Sequence, residues 1–269
     1  MKKFAILLLA LALVFSFAAC NNDADTPDVG GDTPEVQAAT ITIAAAASLE
    51  PAFTGALIPM FNETYPQITV EGAYDASGKL QTQIEAGLAA DIFMSAATKQ
   101  MNALVEGGYI NAADVVELLQ NKVVLIEGVG LPSGVTGFAD IANAEIIAIG
   151  DPASVPVGQY AEEIFANLGI LDAVLAKASL GTNVTEVLNW VGEGSAQVGV
   201  VYATDAATMP QKVAVIAEAP EGSLATPVIY PIAMLAGSAN AEAAALFVQF
   251  LQSDEAIAVF ESYGFSSNL

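Results

Sequence analysis

Four short stretches of this 269-residue chain place hydrogen-bond donors where a strand hands over to a helix. Ser48 follows the β-branched run "TITI" and precedes an apolar helical stretch. Ser77 follows the strand-like "ITVEGAY" and has Gly78 behind it. "GDPASVPVGQY" puts Val157 and Gly158 at a third helix start, and "GTNVTEV" puts Val184 at a fourth. A helix start presents backbone N–H groups without intrahelical partners, at the positive end of the aligned peptide dipoles. Two such ends carrying serine hydroxyls, and two bare ones, would make a cage of donors with no formal charge. That cage suits a fully ionised oxyanion. Each serine alone also reads as an ordinary N-cap, with the alanines of "AAAASL" present for tight packing. The set of four points to an anion; no single member does.

Composition removes most competing chemistry. Arginine and histidine are absent, and the seven basic residues are all lysines. Without histidine there is no Ser-His-Asp or Cys-His arrangement and no histidine metal site. The single cysteine, Cys20, excludes an intrachain disulfide, a Cys-x-x-Cys motif and an iron–sulfur cluster. The formal net charge is −23. Such acidity argues against electrostatic binding of nucleic acid or of an anionic membrane surface.

The chain begins "MKKFAILLLALALVFSFAAC", two lysines followed by a run from Phe4 to Ala19 that is apolar except for Ser16. This has the form of an export signal, and the run is short of the ~20 residues a bilayer span needs. Its "AAC" end resembles the lipobox of bacterial lipoproteins, in which the signal (1–19) is cleaved and the cysteine, here Cys20, is lipidated. Phe17 stands where leucine is commonest in that motif. Loss of Lys2 and Lys3 with the signal leaves five lysines against 30 acidic residues, a net charge of −25. Residues 20–38, rich in Asp, Pro, Gly and Thr, read as a flexible acidic tether. The folded part is expected outside the cytoplasmic membrane, held to its outer face by lipid.

From Ala39 onward, strands alternate with helices. "FTGALIPMF" spaces Phe53, Leu57 and Met60/Phe61 as on a helix, and "SGKLQTQIEAG" puts Leu80 and Ile84 on one face with Gly87 as its stop. "ADIFMSA", "NKVVLIEG", "AEIIAIGDP" and "AQVGVVYA" read as further strands. "VGQYAEEIFANLG" is an amphipathic helix stopped by Gly169, and helices are expected around 241–252 and 254–263. This alternation predicts an α/β fold with mainly parallel sheets. In such folds ligands sit beyond the carboxyl ends of strands, which is where the four donor-bearing junctions lie.

"ITIAAAASLEPAF", "YDASGKLQTQIEAGLAADIFMSA", "GDPASVPVGQYA" and "VGVVYATDA" together resemble the periplasmic molybdate-binding proteins, the solute-binding components of molybdate ABC transporters. The similarity runs from about Thr40 to Phe265. It implies a two-lobed class II periplasmic-binding-protein fold, each lobe a mainly parallel sheet flanked by helices, joined by two crossover strands. Residues 39–122 with 227–269 would form one lobe and 123–226 the other. The resemblance places the oxyanion ligands at Ser48 and Ser77 through their hydroxyls, Val157 and Val184 through backbone N–H, and Tyr202 through its phenol. The implied ligand is molybdate or tungstate, with no cofactor. The implied partner is a membrane permease with a cytoplasmic ATPase, and the protein itself would be a monomer. Glu50 and Asp75 occupy positions that are usually small or neutral in that family, and both are expected to face water. Lys79 is expected to be solvated.

A site of donors only also selects among anions, because hydrogen phosphate would leave its O–H unpaired at a cost of about 1–3 kcal/mol. Two other readings are a receptor for sulfate or a small organic anion, and an exported enzyme using Ser77 with Lys79. Organic carboxylates commonly recruit arginine, which is absent here. Trp190, on the helix that Val184 opens, reads as a core residue.

Overall fold

The computed structural model describes residues 37–269; the export signal, Cys20 and most of the tether lie outside the described residues. The chain builds two mixed sheets. The first contains β1 (Ala39–Ala46), β2 (Ile68–Asp75), β3 (Ile92–Met94), β4 (Val116–Asn121), β10 (Val228–Met234) and β11 (Ser266–Ser267), in the order β11-β4-β10-β3-β1-β2. The second contains β5 (Val123–Gly128), β6 (Ile147–Gly150), β7 (Ala178–Gly181), β8 (Val198–Tyr202) and β9 (Val213–Glu218), in the order β7-β6-β8-β5-β9. The chain passes between sheets twice, across Lys122 and across 219–227.

The sheets are mixed rather than mainly parallel, and the crossings supply the reason. Where a helix returns the chain, pairing is parallel: β1 with β2 and β3, β6 with β7 and β8. The strands that enter from the other sheet pair antiparallel: β5 with β8 and β9, β10 with β3 and β4. A parallel neighbour needs a crossover connection within its own sheet, and these strands have none.

Register sets the functional geometry. Ala46 pairs with Asp75, so β1 and β2 end side by side. Gly150 pairs with Gly181, so β6 and β7 do the same. The segments that follow therefore start as neighbours. On the first sheet these are a 3-10 turn, Ala47–Leu49, and helix α3 (Ser77–Glu85). On the second they are α5 (Pro156–Asn167) and α7 (Val184–Gly192).

The helix expected after Ser48 spans α1 (Glu50–Ala52), a π turn (Phe53–Leu57) and α2 (Ile58–Thr64). Pro59 has no N–H and its ring crowds the carbonyl four residues back, so the helix widens just before it: the Ile58 N–H bonds Phe53 O, five residues earlier. Phe53 packs edge-on against Phe260 at 5.9 Å and lies 6.1 Å from Phe247. Those rings tie this helix to α9 (Ala241–Leu251) and α10 (Asp254–Ser262). Gly87 and Gly169 stop their helices as expected, with φ of 98° and 71° that a side chain would disfavour. The remaining α-helices among the described residues are α4 (Thr98–Glu106), α6 (Leu171–Leu175) and α8 (Ala203–Thr208).

Candidate functional site

Ser48, Ser77, Val157, Val184 and Tyr202 line one small cavity between the two sheets, with a volume of about 10 Å³. All five are buried, the most exposed of them, Ser48, at 5%. A volume of that order admits a single water-sized sphere, so the walls have closed on a compact space.

Neither serine is an N-cap. Ala46 and Ala76 occupy the cap positions of the 3-10 turn and α3, and neither helix start receives a side-chain cap bond. The hydroxyls are engaged across the fold instead. Ser48 Oγ lies 2.9 Å from Tyr230 Oη, and Ser77 Oγ accepts from the Ala96 N–H at 3.0 Å. The Ser77 proton is thus left for the cavity that the residue lines.

The second sheet's wall combines main chain at Val157 and Val184 with the side chain of Tyr202. Val157 is the second residue of α5, after Pro156, and Val184 the first residue of α7. Their N–H groups come before any intrahelical acceptor exists, and neither donates to another backbone acceptor among the described residues. α7 has a true cap in Asn183, whose Oδ1 accepts from the Glu186 N–H at 3.0 Å. Tyr202 ends β8, with Oη 3.5 Å from Ala96 O, a long contact. Burial, with Tyr230 beside it, raises the Tyr202 phenol well above its ordinary pKa, so it stays a proton donor. Behind it, Asp205 accepts from the Tyr202 N–H at 3.0 Å and is pushed up to about 7 by burial.

The charged neighbours behave unequally. Glu50 is exposed, as expected. Asp75 faces water only in part, its side chain 29% exposed: it also lines the cavity, and its Oδ1 accepts from the Ala76 N–H at 2.8 Å, Lys79 Nζ at 3.3 Å and Asn183 Nδ2 at 3.4 Å. Three donors hold that oxygen. Lys79 is accordingly a partner of Asp75 rather than a freely solvated lysine. It is not paired with Ser77, whose Oγ is bound by Ala96, so the pair an enzyme reading required is not assembled. Trp190 is half-buried; it packs on the core and also faces an outer cleft of about 580 Å³ shared with Tyr74 and Glu50.

Contacts between the two sheets' elements hold the cavity shut. The Gly78 N–H donates to Ser154 O at 2.9 Å, and Gln100 Nε2 to Gln159 Oε1 at 3.2 Å. Gly78 permits the approach because a Cβ there would lie 2.5 Å from Ser154 O. Three participants, Tyr230, Asn121 and Ala96, are not among the residues the sequence singles out. The only sequence signal for Tyr230 is a phenol inside the apolar run "TPVIYPIAML", since a buried tyrosine needs a hydrogen-bond partner.

Comparison with known proteins adds independent information. Over 266 residues the chain is 36% identical to the putative ABC transporter substrate-binding lipoprotein YvgL of Bacillus subtilis, covering 99% of each sequence. It is 33% identical to the molybdate-binding protein ModA of Haemophilus influenzae, covering 99% of this chain and 98% of that one. Among solved structures, the substrate-binding domain of a putative molybdenum ABC transporter from Clostridium difficile superposes with a TM-score of 0.64 at 34% identity. That match covers 85% of this chain and 98% of the other. Residues 41–266 match the bacterial extracellular solute-binding protein family, and the chain belongs to that family.

Proposed function

We propose that this protein is an extracytoplasmic receptor that captures molybdate, and tungstate with it, between its two sheets and delivers it to an ABC permease driven by a cytoplasmic ATPase. It works as a binding protein without catalysis or cofactor, as a monomer held to the membrane by lipid on Cys20. The observation that supports this reading is that five residues able to offer neutral donors, two serine hydroxyls, two backbone N–H groups and a phenol, line one compact cavity. The names of the relatives support the choice of oxyanion.

The energetics suffice. A hydrogen bond to a charged group contributes roughly 1.5–3 kcal/mol, so five gross about 8–15 kcal/mol before desolvation and closure. Micromolar affinity needs about 8 kcal/mol. The protein's overall acidity opposes capture only weakly at longer range, since physiological salt screens charges beyond about 8 Å. Inside the cavity the nearest carboxylate, Asp75, has its facing charge met by Lys79 and two neutral donors.

Titration calorimetry with molybdate, tungstate, sulfate and inorganic phosphate tests the reading. Molybdate and tungstate are expected to bind at micromolar concentration or better, and phosphate far more weakly. Tight sulfate binding without molybdate binding would overturn it.

A further inference from the structure

Gln100 and Gln159 meet where α4, on the first sheet's side, faces α5 on the second, and the sense of both amides follows from their neighbours. Gln159 Nε2 lies 3.1 Å from Pro152 O, and a carbonyl oxygen only accepts. Gln159 therefore presents Oε1 across the gap, and Gln100 Nε2 donates to it at 3.2 Å. Turning the Gln100 amide over would set two acceptor oxygens face to face. Gln100 Oε1 is thereby fixed on the other side, closed off from solvent and without a hydrogen-bond partner among the described residues. Gln100 as a whole is 2% exposed, whereas Gln159 is only half-buried. Folded proteins rarely leave a buried acceptor unpaired, so this oxygen calls for an explanation. On closure the pair gains one neutral hydrogen bond and strands one carbonyl. The loss outweighs the gain, because water serves these groups before burial and a stranded buried group forfeits its whole hydration.

We infer that Gln100 opposes closure: it biases the ligand-free receptor toward an open state, and the walls meet when a bound anion offsets the stranded carbonyl. Separation of α4 from α5 returns the Gln100 amide to water and removes the deficit. The inference rests on the receptor reading above and adds a control on that same site. It also divides the contacts between the two sheets' elements by sign. The Gly78 N–H and Ser154 O are matched to each other and favour the closed form. The Gln100–Gln159 bond comes with an unpaired oxygen and disfavours it. A receptor whose closed form is scarce without ligand has its apparent affinity lowered by that scarcity. Relieving Gln100 should therefore tighten binding, although the substitution deletes a bond between the walls.

Substitutions of similar shape test the sign. Gln100→Met keeps an unbranched side chain that suits a buried helix position, and removes the stranded oxygen together with the donor. The half-buried Gln159 is then left for solvent to serve. Gln159→Met does the reverse: it keeps the stranded oxygen and takes away the one partner that the Gln100 amide has across the gap. Calorimetry with molybdate and small-angle X-ray scattering are read on the full chain. Gln100→Met is expected to bind molybdate about three- to tenfold more tightly than wild type. Without ligand it should be more compact than wild type, closer to the molybdate-bound form. Gln159→Met is expected to bind about three- to tenfold more weakly. Gln100→Leu should match Gln100→Met, and decides in its place if that variant does not fold. Binding by Gln100→Met that is equal to wild type or weaker would make the pair a plain latch and overturn the inference. Wild-type protein that binds none of the four oxyanions would fail the receptor reading instead. Scattering from the ligand-free proteins then still decides here, and no gain in compactness on Gln100→Met would overturn the inference.

Discussion

On the first-sheet side, the cavity wall is built from serine hydroxyls that follow β1 and β2; on the second, from the N–H groups of two valines and the phenol of Tyr202. The strand ends are arranged alike, Ala46 beside Asp75 and Gly150 beside Gly181, and both pairs lead into helix starts. What differs is where the donor resides. A hydroxyl is one side chain, can rotate, and has to be oriented by a neighbour, as Tyr230 and Ala96 do for Ser48 and Ser77. A main-chain N–H is oriented by the helix itself and survives a change of side chain. The first wall is therefore open to side-chain substitution, whereas the two valine positions of the second are vulnerable only through their backbone.

The largest effect is expected where the two walls meet. A Cβ on Gly78 would lie 2.5 Å from Ser154 O and 2.8 Å from Ser154 Cα, both backbone atoms of the opposite side. Gly78→Ala cannot be relieved by a rotamer; the sheets must stand further apart, and all five donors lose their common focus. A loss of a hundredfold or more in molybdate affinity is expected by calorimetry. Melting temperature in the absence of ligand should change little by comparison. Affinity within threefold of wild type would mean that the walls need not close this far.

Next come the hydroxyls. Ser48→Ala and Ser77→Ala each remove one hydrogen bond to an ion, worth about 1.5–3 kcal/mol, which corresponds to roughly tenfold or more in affinity. Ser48→Ala also removes a buried hydrogen-bond partner of the Tyr230 hydroxyl, so it should cost some stability as well. Unchanged molybdate affinity in both variants would remove the first wall from the site.

The same asymmetry governs how much of the molecule is legible in its sequence. Serines at strand-to-helix junctions are visible as letters, so Ser48 and Ser77 stand out in the sequence itself. Their bonding does not, because an N-cap and a cross-fold donor look identical in one dimension. Val157 and Val184 stand out only by their position at helix starts, since a backbone donor leaves no trace in residue type. Tyr202 is marked by resemblance alone. The apolar strands β6 and β8 are legible because burial on both faces demands continuous apolar runs, and β1 because its first half alternates exposed or half-buried threonines with buried isoleucines. β7, with four residues and an exposed Leu180, and the edge strand β9, with Val215 half exposed, lack that pattern and go unpredicted. β4 escapes for another reason. "VELLQN" has two buried leucines side by side rather than an alternation, and its pairing is supplied by β10, more than a hundred residues away in sequence.

The smallest effect tests the comparison from its other side. Val157 and Val184 are buried at 0% and 4%, and removing two methyl groups from each lowers stability. Both N–H donors remain in place after Val157→Ala or Val184→Ala, because the first turns of α5 and α7 set their direction and alanine favours those turns. Molybdate affinity should therefore stay within about threefold of wild type while melting temperature falls by a few degrees. A tenfold loss of affinity in either variant would show that the valine side chain, not the main chain, shapes the second wall. The division between serine donors set by side chains and valine donors set by backbone would then no longer hold.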